Sequence, residues 1–208
     1  MEIKLYYNDS DIVVAEKPFG VSSQLSQGEN MVTMLSNQLD CEIFPVHRLD
    51  IQTTGLIVFA KNQFSASELS RQIQDKSFKK EYLCLCHGEI EGKGEMRDFL
   101  YHDRVKNKSF VVDKARKGAK EAILEYEVAQ KGEQLSKVRV KLKTGRTHQI
   151  RVQFASRGNM LYGDGKYGAK DNDKIALHSC KITFMHPKTK TQMEFESEPT
   201  SDVWQMLK

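Results

Sequence analysis

The sequence predicts an α+β fold: a single domain over residues 1–208, with a mainly antiparallel, mixed central sheet flanked by helices and loops. Three observations point there. Apolar and polar residues alternate with period two over several stretches, most cleanly over 121–128 and 137–143. Helical spacing occurs in short runs between them, without the regular strand–helix–strand order of a doubly wound parallel sheet. The sequence shows no repeat, low-complexity linker or shift in composition.

In chain order, 11–16 reads as a strand, stopped by Lys17-Pro18-Phe19-Gly20. Asn30 caps a short helix to Leu39, with Met31, Met34 and Leu35 on one face. Pro45 breaks the chain, and 55–60 is a buried strand. Asn62 is an N-cap for a helix to about Lys76, in which Ala66, Leu69 and Ile73 recur at helical spacing. A strand over 79–87 follows, and 88–96, rich in glycine and acid, reads as loop. Next come a short strand over 109–112, a basic loop over 114–120 and the two alternating strands. The segment 147–156 reads as helix, and 181–185 with 192–196 as a hairpin around His186-Pro187. Ser201 caps a last short helix carrying Val203, Trp204 and Leu207.

Composition narrows the function. A chain of 208 residues, 39% of them hydrophobic, can bury a core without covalent staples. The charged fraction is 29% with both signs mixed, which excludes a disordered chain. The longest apolar run, 56–60, is far short of the ~20 residues of a membrane span. The start, Met1-Glu2-Ile3-Lys4, lacks the apolar core of a signal peptide, so a cytoplasmic protein is expected. Cys41, Cys84, Cys86 and Cys180 form no C-x-x-C pair, and they read as reduced, buried thiols rather than metal ligands. The net charge of +4 says little, but its distribution says more. Seven basic residues and one acid, Asp113, lie between Arg104 and Lys120, and a second basic cluster runs from Lys137 to Arg151. Such clusters suit a polyanion; the alternative is a solvated surface.

Two segments carry chemistry. In His47-Arg48-Leu49-Asp50-Ile51-Gln52-Thr53-Thr54-Gly55, one carboxylate stands beside an arginine on a small-residue turn before an apolar strand. That arrangement puts a single reactive acid at the end of a rigid element. In Thr144-Gly145-Arg146-Thr147-His148-Gln149-Ile150-Arg151, a helix from Thr147 places Thr147, His148 and Arg151 on one turn. Those donors suit phosphate, or else form a structural ion-pair network. Gly163-Asp164-Gly165-Lys166-Tyr167-Gly168 matches G-x-G-x-x-G, but polar loop follows it, so a tight turn is expected and no nucleotide cofactor.

These segments carry a resemblance. HRLDIQTTGLIVFAK is similar to the H-R-L-D-x-x-T-S-G-L-x-x-x-A-K signature of the RluA-type RNA pseudouridine synthases. Lys17-Pro18-x-Gly20, Lys80-x-Tyr82, 145–152, Gly163-Asp164, Tyr167-Gly168, Leu177-His178 and His186-Pro187 resemble the family's other motifs, in order, from about residue 10 to 190. Thr54 stands where the family usually has Ser, Gln153 where it has His, and Met160 where Pro is common. The chain begins almost at the first motif, so no N-terminal S4-type RNA-binding domain is expected.

The resemblance implies isomerisation of specific uridines in structured ribosomal or transfer RNA to pseudouridine, after the base is flipped out, with no metal or other cofactor. Asp50 carries over as the catalytic carboxylate. Arg151 carries over as its charge partner, brought together with it by the fold, and Tyr82 as the aromatic against the flipped uracil. Lys17, Arg48, Thr53, Arg146, Thr147, His148 and Gln149 carry over as substrate-binding residues, with Arg48 filling the space the base leaves and His148 and Gln149 ordering the cleft. His47 reads as structural. RNA is the expected partner, with no membrane, for a monomer. A non-catalytic RNA-binding or ribosome-assembly factor is the alternative. A metal-dependent hydrolase built on His47 and Asp50 lacks the clustered carboxylates it would need.

Overall fold

The computed structural model describes residues 1–207. In chain order it contains β1 (Leu5–Asn8), β2 (Ile12–Lys17), α1 (Met31–Leu39), β3 (Phe44–Pro45), β4 (Thr54–Ala60), α2 (Gln63–Gln74) and β5 (Lys79–His87). There follow β6 (Lys93–Asp103), β7 (Lys108–Val112), β8 (Lys120–Lys131), β9 (Leu135–Leu142), α3 (Gln149–Ala155), β10 (Leu177–Met185) and β11 (Gln192–Glu196). The fold is α+β, and within each of its two compact units the strands pair antiparallel, except for β4 with β10, which are parallel. No helix among the described residues is long and apolar enough to cross a membrane. The residues group into two compact units: Met1–Lys80 with His178–Pro199, and Glu81–Leu177 with the residues from Thr200 on.

In the first unit the strands run β1-β2-β4-β10, with β11 on β10 and β3 beside the end of β4. Asn30 and Asn62 cap α1 and α2 as their side chains predict, accepting from Thr33 N and Ser65 N. Each such cap is worth about 1 kcal/mol. Leu69 of α2 joins Ile12, Val14, Leu56, Val58, Ile182 and Phe184 in the core. Strand β4 is apolar on both faces because it is buried on both, with Leu56–Ala60 fully covered.

One pairing shapes the start of β4. Strand β10 joins it in parallel, His178 opposite Thr54 and Ser179 opposite Gly55. Gly55 has φ 103°, and a Cβ there would stand 2.4 Å from the Ser179 carbonyl oxygen. Only glycine permits both that φ and that approach.

In the second unit the order is β5-β9-β8-β6-β7, antiparallel throughout. Helix α3 packs against β6 and β7. The thiols of Cys84 and Cys86 lie on one face of β5, buried and 3.6 Å apart. The G-x-G-x-x-G segment is a tight turn: Gly163 (φ 75°) and Gly168 (φ 101°) flank a single 3-10 turn, Gly165–Tyr167.

Four expectations differ from the structure. Cys41 is half-buried rather than buried, and Ser201 makes no side-chain cap at the last helix, which is a 3-10 turn over Asp202–Gln205. The loop read over 88–96 gives way at Lys93 to β6, eleven residues long. Its first residues are polar and glycine-containing because they are exposed, so apolar alternation is absent there. The helix read from Thr147 begins at Gln149. His148 takes a left-handed backbone (φ 55°), which cannot continue a helix, and Gln149 folds back to accept from Arg146 N (3.0 Å) and Thr144 Oγ1 (2.8 Å).

Candidate active site

In the first unit, Asp50 occupies the first position of a turn closed by Thr53 N–H to the Asp50 carbonyl (2.9 Å). Both neighbours of Asp50 are pinned. Ser23 brackets Leu49, its Oγ donating to the Leu49 carbonyl (3.0 Å) and accepting from Leu49 N (3.1 Å). The Ile51 carbonyl accepts from Gly20 N (2.9 Å) and from the Lys17 ammonium (2.9 Å). The carboxylate itself is half-buried.

Lys17 is wholly buried. Its ammonium spends three hydrogens on three carbonyls: Pro18 (2.8 Å), Val21 (2.7 Å) and Ile51 (2.9 Å). Burial lowers its pKa to about 8, and the Asp50 charge opposes that shift. The sequence reading put Lys17 among the substrate contacts; the structure places it beneath the Asp50 turn as a clamp. Thr53 is also buried, and its backbone closes the turn. Arg48 is exposed, with no hydrogen bond or ion pair among the described residues. Of Lys17, Arg48 and Thr53, only Arg48 stands open to solvent.

His47 has a structural explanation. Strand β3 ends at Pro45, so Val58 N–H of β4 has no strand partner on that side, and His47 Nε2 accepts it (3.2 Å). Burial pushes the His47 pKa well down, helped by the charge of Lys80. Thr54, the departure from Ser, uses its hydroxyl to reach His178 Nδ1 (2.8 Å). His178 reaches Ser197 Oγ on its other side (3.2 Å), and burial lowers its pKa to about 4, so it is neutral at physiological pH.

In the second unit, Arg151 is gripped by Asp164. Nε donates to Oδ2 and Nη2 to Oδ1, both at 2.7 Å, and both side chains are almost fully buried. This fork uses two of the five guanidinium N–H donors. The Arg151 guanidinium also lies 5.2 Å from the Tyr167 ring centre. The Tyr167 hydroxyl bonds Ser109 N (2.8 Å) and His148 Nδ1 (3.0 Å). Burial first, then the charges of Arg151 and Lys166, lower the His148 pKa to about 3. Tyr82, buried in β5 opposite Val140 of β9, lies on the face that carries Cys84 and Cys86.

The remaining predicted contacts are mostly internal. Gln149 is buried and holds the 143–148 turn, with Nε2 donating to the Ile123 carbonyl (3.1 Å). Thr147 is half-buried, and its carbonyl accepts from Ser109 Oγ (2.6 Å). Arg146 is exposed and bonded through Nε to the Glu121 carbonyl (2.9 Å). Gln153 is wholly buried, with Nε2 2.7 Å from Asp98 Oδ2, so this departure from the family pattern is a change of packing.

The sequence reading assigned no part to Ser23, Asp164 or Tyr167. Asp164 and Tyr167 stand inside motif segments and Ser23 in none, and the role of each depends on a partner that the local sequence does not mark. His186 lies with Asp9 and Asp11 within ligating distance. Their donors and acceptors serve the fold: His186 Nε2 bonds Asp9 (2.9 Å), and Asp9 Oδ1 accepts from Asp11 N and Ile12 N.

A model of the family described as RNA pseudouridylate synthase matches residues 11–156. The chain belongs to this family. Its members are isomerases of the RluA type. A tRNA pseudouridine synthase C of Haemophilus ducreyi is 31% identical over 236 residues, covering 100% of the chain and 95% of that protein. A ribosomal large subunit pseudouridine synthase D of Vibrio cholerae is 30% identical over 99% of the chain and 70% of that protein. An uncharacterised RNA pseudouridine synthase of Mycoplasma pneumoniae is 33% identical, and there the match spans 66% of the relative's length. Among solved structures, Human RNA Pseudouridylate Synthase Domain Containing 1 matches with a TM-score of 0.80 over 95% of the chain and 83% of its own, at 23% identity. That likeness shows the pseudouridine synthase fold.

Proposed function

We propose that this family member converts a uridine in transfer or ribosomal RNA to pseudouridine, with Asp50 as the catalytic carboxylate and Tyr82 and Arg151 as further catalytic residues. The observation that carries the reading is the mounting of Asp50: a half-exposed acid whose two neighbours are held by Ser23 on one side and by Lys17 and Gly20 on the other. A reactive group held this firmly loses little entropy on reaching the transition state.

In the reaction the N1–C1′ bond breaks, the base turns and a C5–C1′ bond forms. C5 loses its proton to water, and N1 gains one. The carboxylate attacks C1′, attacks C6, or removes a proton to give a glycal. A target uridine leaves its stack at a cost of roughly a few kcal/mol. Arg48, exposed and beside the turn, is the side chain to enter the space behind it.

Tritium release from RNA labelled at uridine C5 tests this. Release is expected from the wild type, with and without EDTA, and none from Asp50→Asn. Release that persists in the variant overturns the role of Asp50. RNA binding without release from any RNA favours the non-catalytic reading.

A further inference from the structure

The antiparallel register of β6 and β7 sets Tyr101 opposite Phe110 and Phe99 opposite Val112. Alternation puts these four on one face. The other face turns toward α3: Leu100 packs with Ala122 and Val152, and Ser109 bonds Tyr167. The three rings therefore lie on the outer face, each half-buried.

What lies over them is basic. The Arg116 guanidinium carbon is 4.1 Å from the Tyr101 ring centre. Lys114 Nζ is 5.8 Å from that of Phe99, and Lys108 Nζ 5.9 Å from that of Phe110. A Cβ at Gly118 would stand 3.7 Å from the Tyr101 ring, so the 113–119 segment runs close along this face. Two of the nearby acids are engaged: Asp103 accepts from Val105 N and Lys106 N, and Glu121 pairs with Arg97 at 2.9 Å. Six of the seven cations of 104–120 are exposed, against one exposed acid in the segment, Asp113, while Lys108 is half-buried and its ammonium donates to the Lys166 carbonyl (2.6 Å).

Rings and guanidinium planes on a basic surface are how proteins stack unpaired bases while holding the phosphates beside them. We propose that the outer face of the β6–β7 hairpin is a second RNA-contact surface, where Tyr101 and Phe110 stack an unpaired base and Arg116, Lys114 and Lys108 hold the adjoining phosphates. The inference rests on RNA as substrate and narrows it to an RNA with an unpaired segment besides the target uridine. A loop merely braced by cation–π contacts would have the same geometry without RNA affinity, and the experiment separates the two.

The probe is a labelled 12-nucleotide oligoadenosine, which holds no uridine, compared with a 12-base-pair RNA duplex, both titrated against the full chain. Tyr101→Leu/Phe110→Leu is expected to weaken oligoadenosine binding at least fivefold, the low end of base–aromatic stacking, and to leave duplex binding unchanged. Lys114→Gln/Arg116→Gln, on exposed loop positions that do not threaten folding, is expected to lower the salt slope for the single strand by about 1.4. Tritium release at saturating RNA should be unchanged in both variants. Unchanged oligoadenosine affinity and salt slope in the loop variant overturn the proposal. Equal losses on strand and duplex overturn the stacking surface in favour of an unspecific charge patch. These binding losses in a chain that releases no tritium would uphold the surface while the catalytic reading fails.

Discussion

Arg151 and Asp164 form a buried, two-bond fork, with Nε and Nη2 each 2.7 Å from a carboxylate oxygen. The backbone fixes the acid's place. Gly163, just before it, has φ 75°, and a Cβ there would lie 2.3 Å from the Lys174 carbonyl oxygen. The guanidinium is thereby held in one orientation. Asp164→Asn keeps the shape, removes the charge and turns one acceptor into a donor facing another donor. Removing one partner of a buried pair costs about 3–5 kcal/mol. Thermal unfolding should show a large fall in Tm, and tritium release at a temperature where the variant is folded should show at least a tenfold fall in kcat. Wild-type kcat in the folded variant would mean that the fork has no part in orienting Arg151 for the reaction.

Lys17 should make the proposed reaction sensitive to alkali. As an ammonium it serves three carbonyls, one of them that of Ile51 next to Asp50. As a neutral amine it has two hydrogens and must release one. With its pKa lowered from 10.5 to about 8 by burial, activity should fall as pH rises through about 8. Stability should not fall with it. Between about 8 and 10.5 the unfolded chain binds a proton that the folded chain has released, so this group stabilises the fold increasingly as pH rises through that window. A rate profile beside urea unfolding at each pH checks both halves; a parallel loss of stability would assign the limb to unfolding. Lys17→Met leaves the three carbonyls without their donor, at ~1–3 kcal/mol for each that stays dry, and should remove the limb along with most of the activity.

The elements legible in the sequence were those whose signal is local. Asn30 and Asn62 announce their helices, and the alternation of Val138, Val140 and Leu142 announces β9. The start of β6 was not legible, because a strand whose first residues are exposed carries no apolar period. The motif around Asp50 marked the acid, but not why it is held. That depends on Ser23 and Lys17, which lie 26 and 34 positions away from the carbonyls they grip. Lys17 carries over from the resemblance as a substrate contact, and its burial is not legible in the sequence. His148 was read into a helix because nothing local reports a left-handed backbone.

Gly55 is the point where two strands touch. Gly55→Ala would place a methyl 2.4 Å from the Ser179 carbonyl oxygen and 3.0 Å from the His178 ring, on a residue with φ 103°. Backbone atoms cannot yield cheaply, so β4 and β10 must part at the Thr54–His178 pair, next to the Asp50 turn. The expected result is a loss of several kcal/mol, read as insoluble expression or a much lower urea midpoint. A stable, active Gly55→Ala protein would show that β4 and β10 can part here at little cost.

Tyr167 ties the β7 edge to the Arg151 helix. Its ring lies between two cations, 4.9 Å from Lys108 Nζ and 5.2 Å from the Arg151 guanidinium carbon. Its hydroxyl accepts from Ser109 N (2.8 Å) and lies 3.2 Å from the Ser109 carbonyl and 3.0 Å from His148 Nδ1. His148 is neutral at physiological pH, so one consistent assignment has its Nδ1–H donate to the hydroxyl, which donates to the Ser109 carbonyl. Tyr167→Phe keeps the ring and strands the buried Ser109 N–H, a cost of about 1–3 kcal/mol. Tyr167→Leu removes the ring as well. Hydrogen exchange should quicken at β7 amides in both variants. The rate of tritium release should fall modestly in Phe and further in Leu, because only Leu exposes Arg151 to a new neighbour. Equal activity in the two would mean that the ring between Lys108 and Arg151 has no bearing on the reaction, and that Tyr167 acts through its hydroxyl alone.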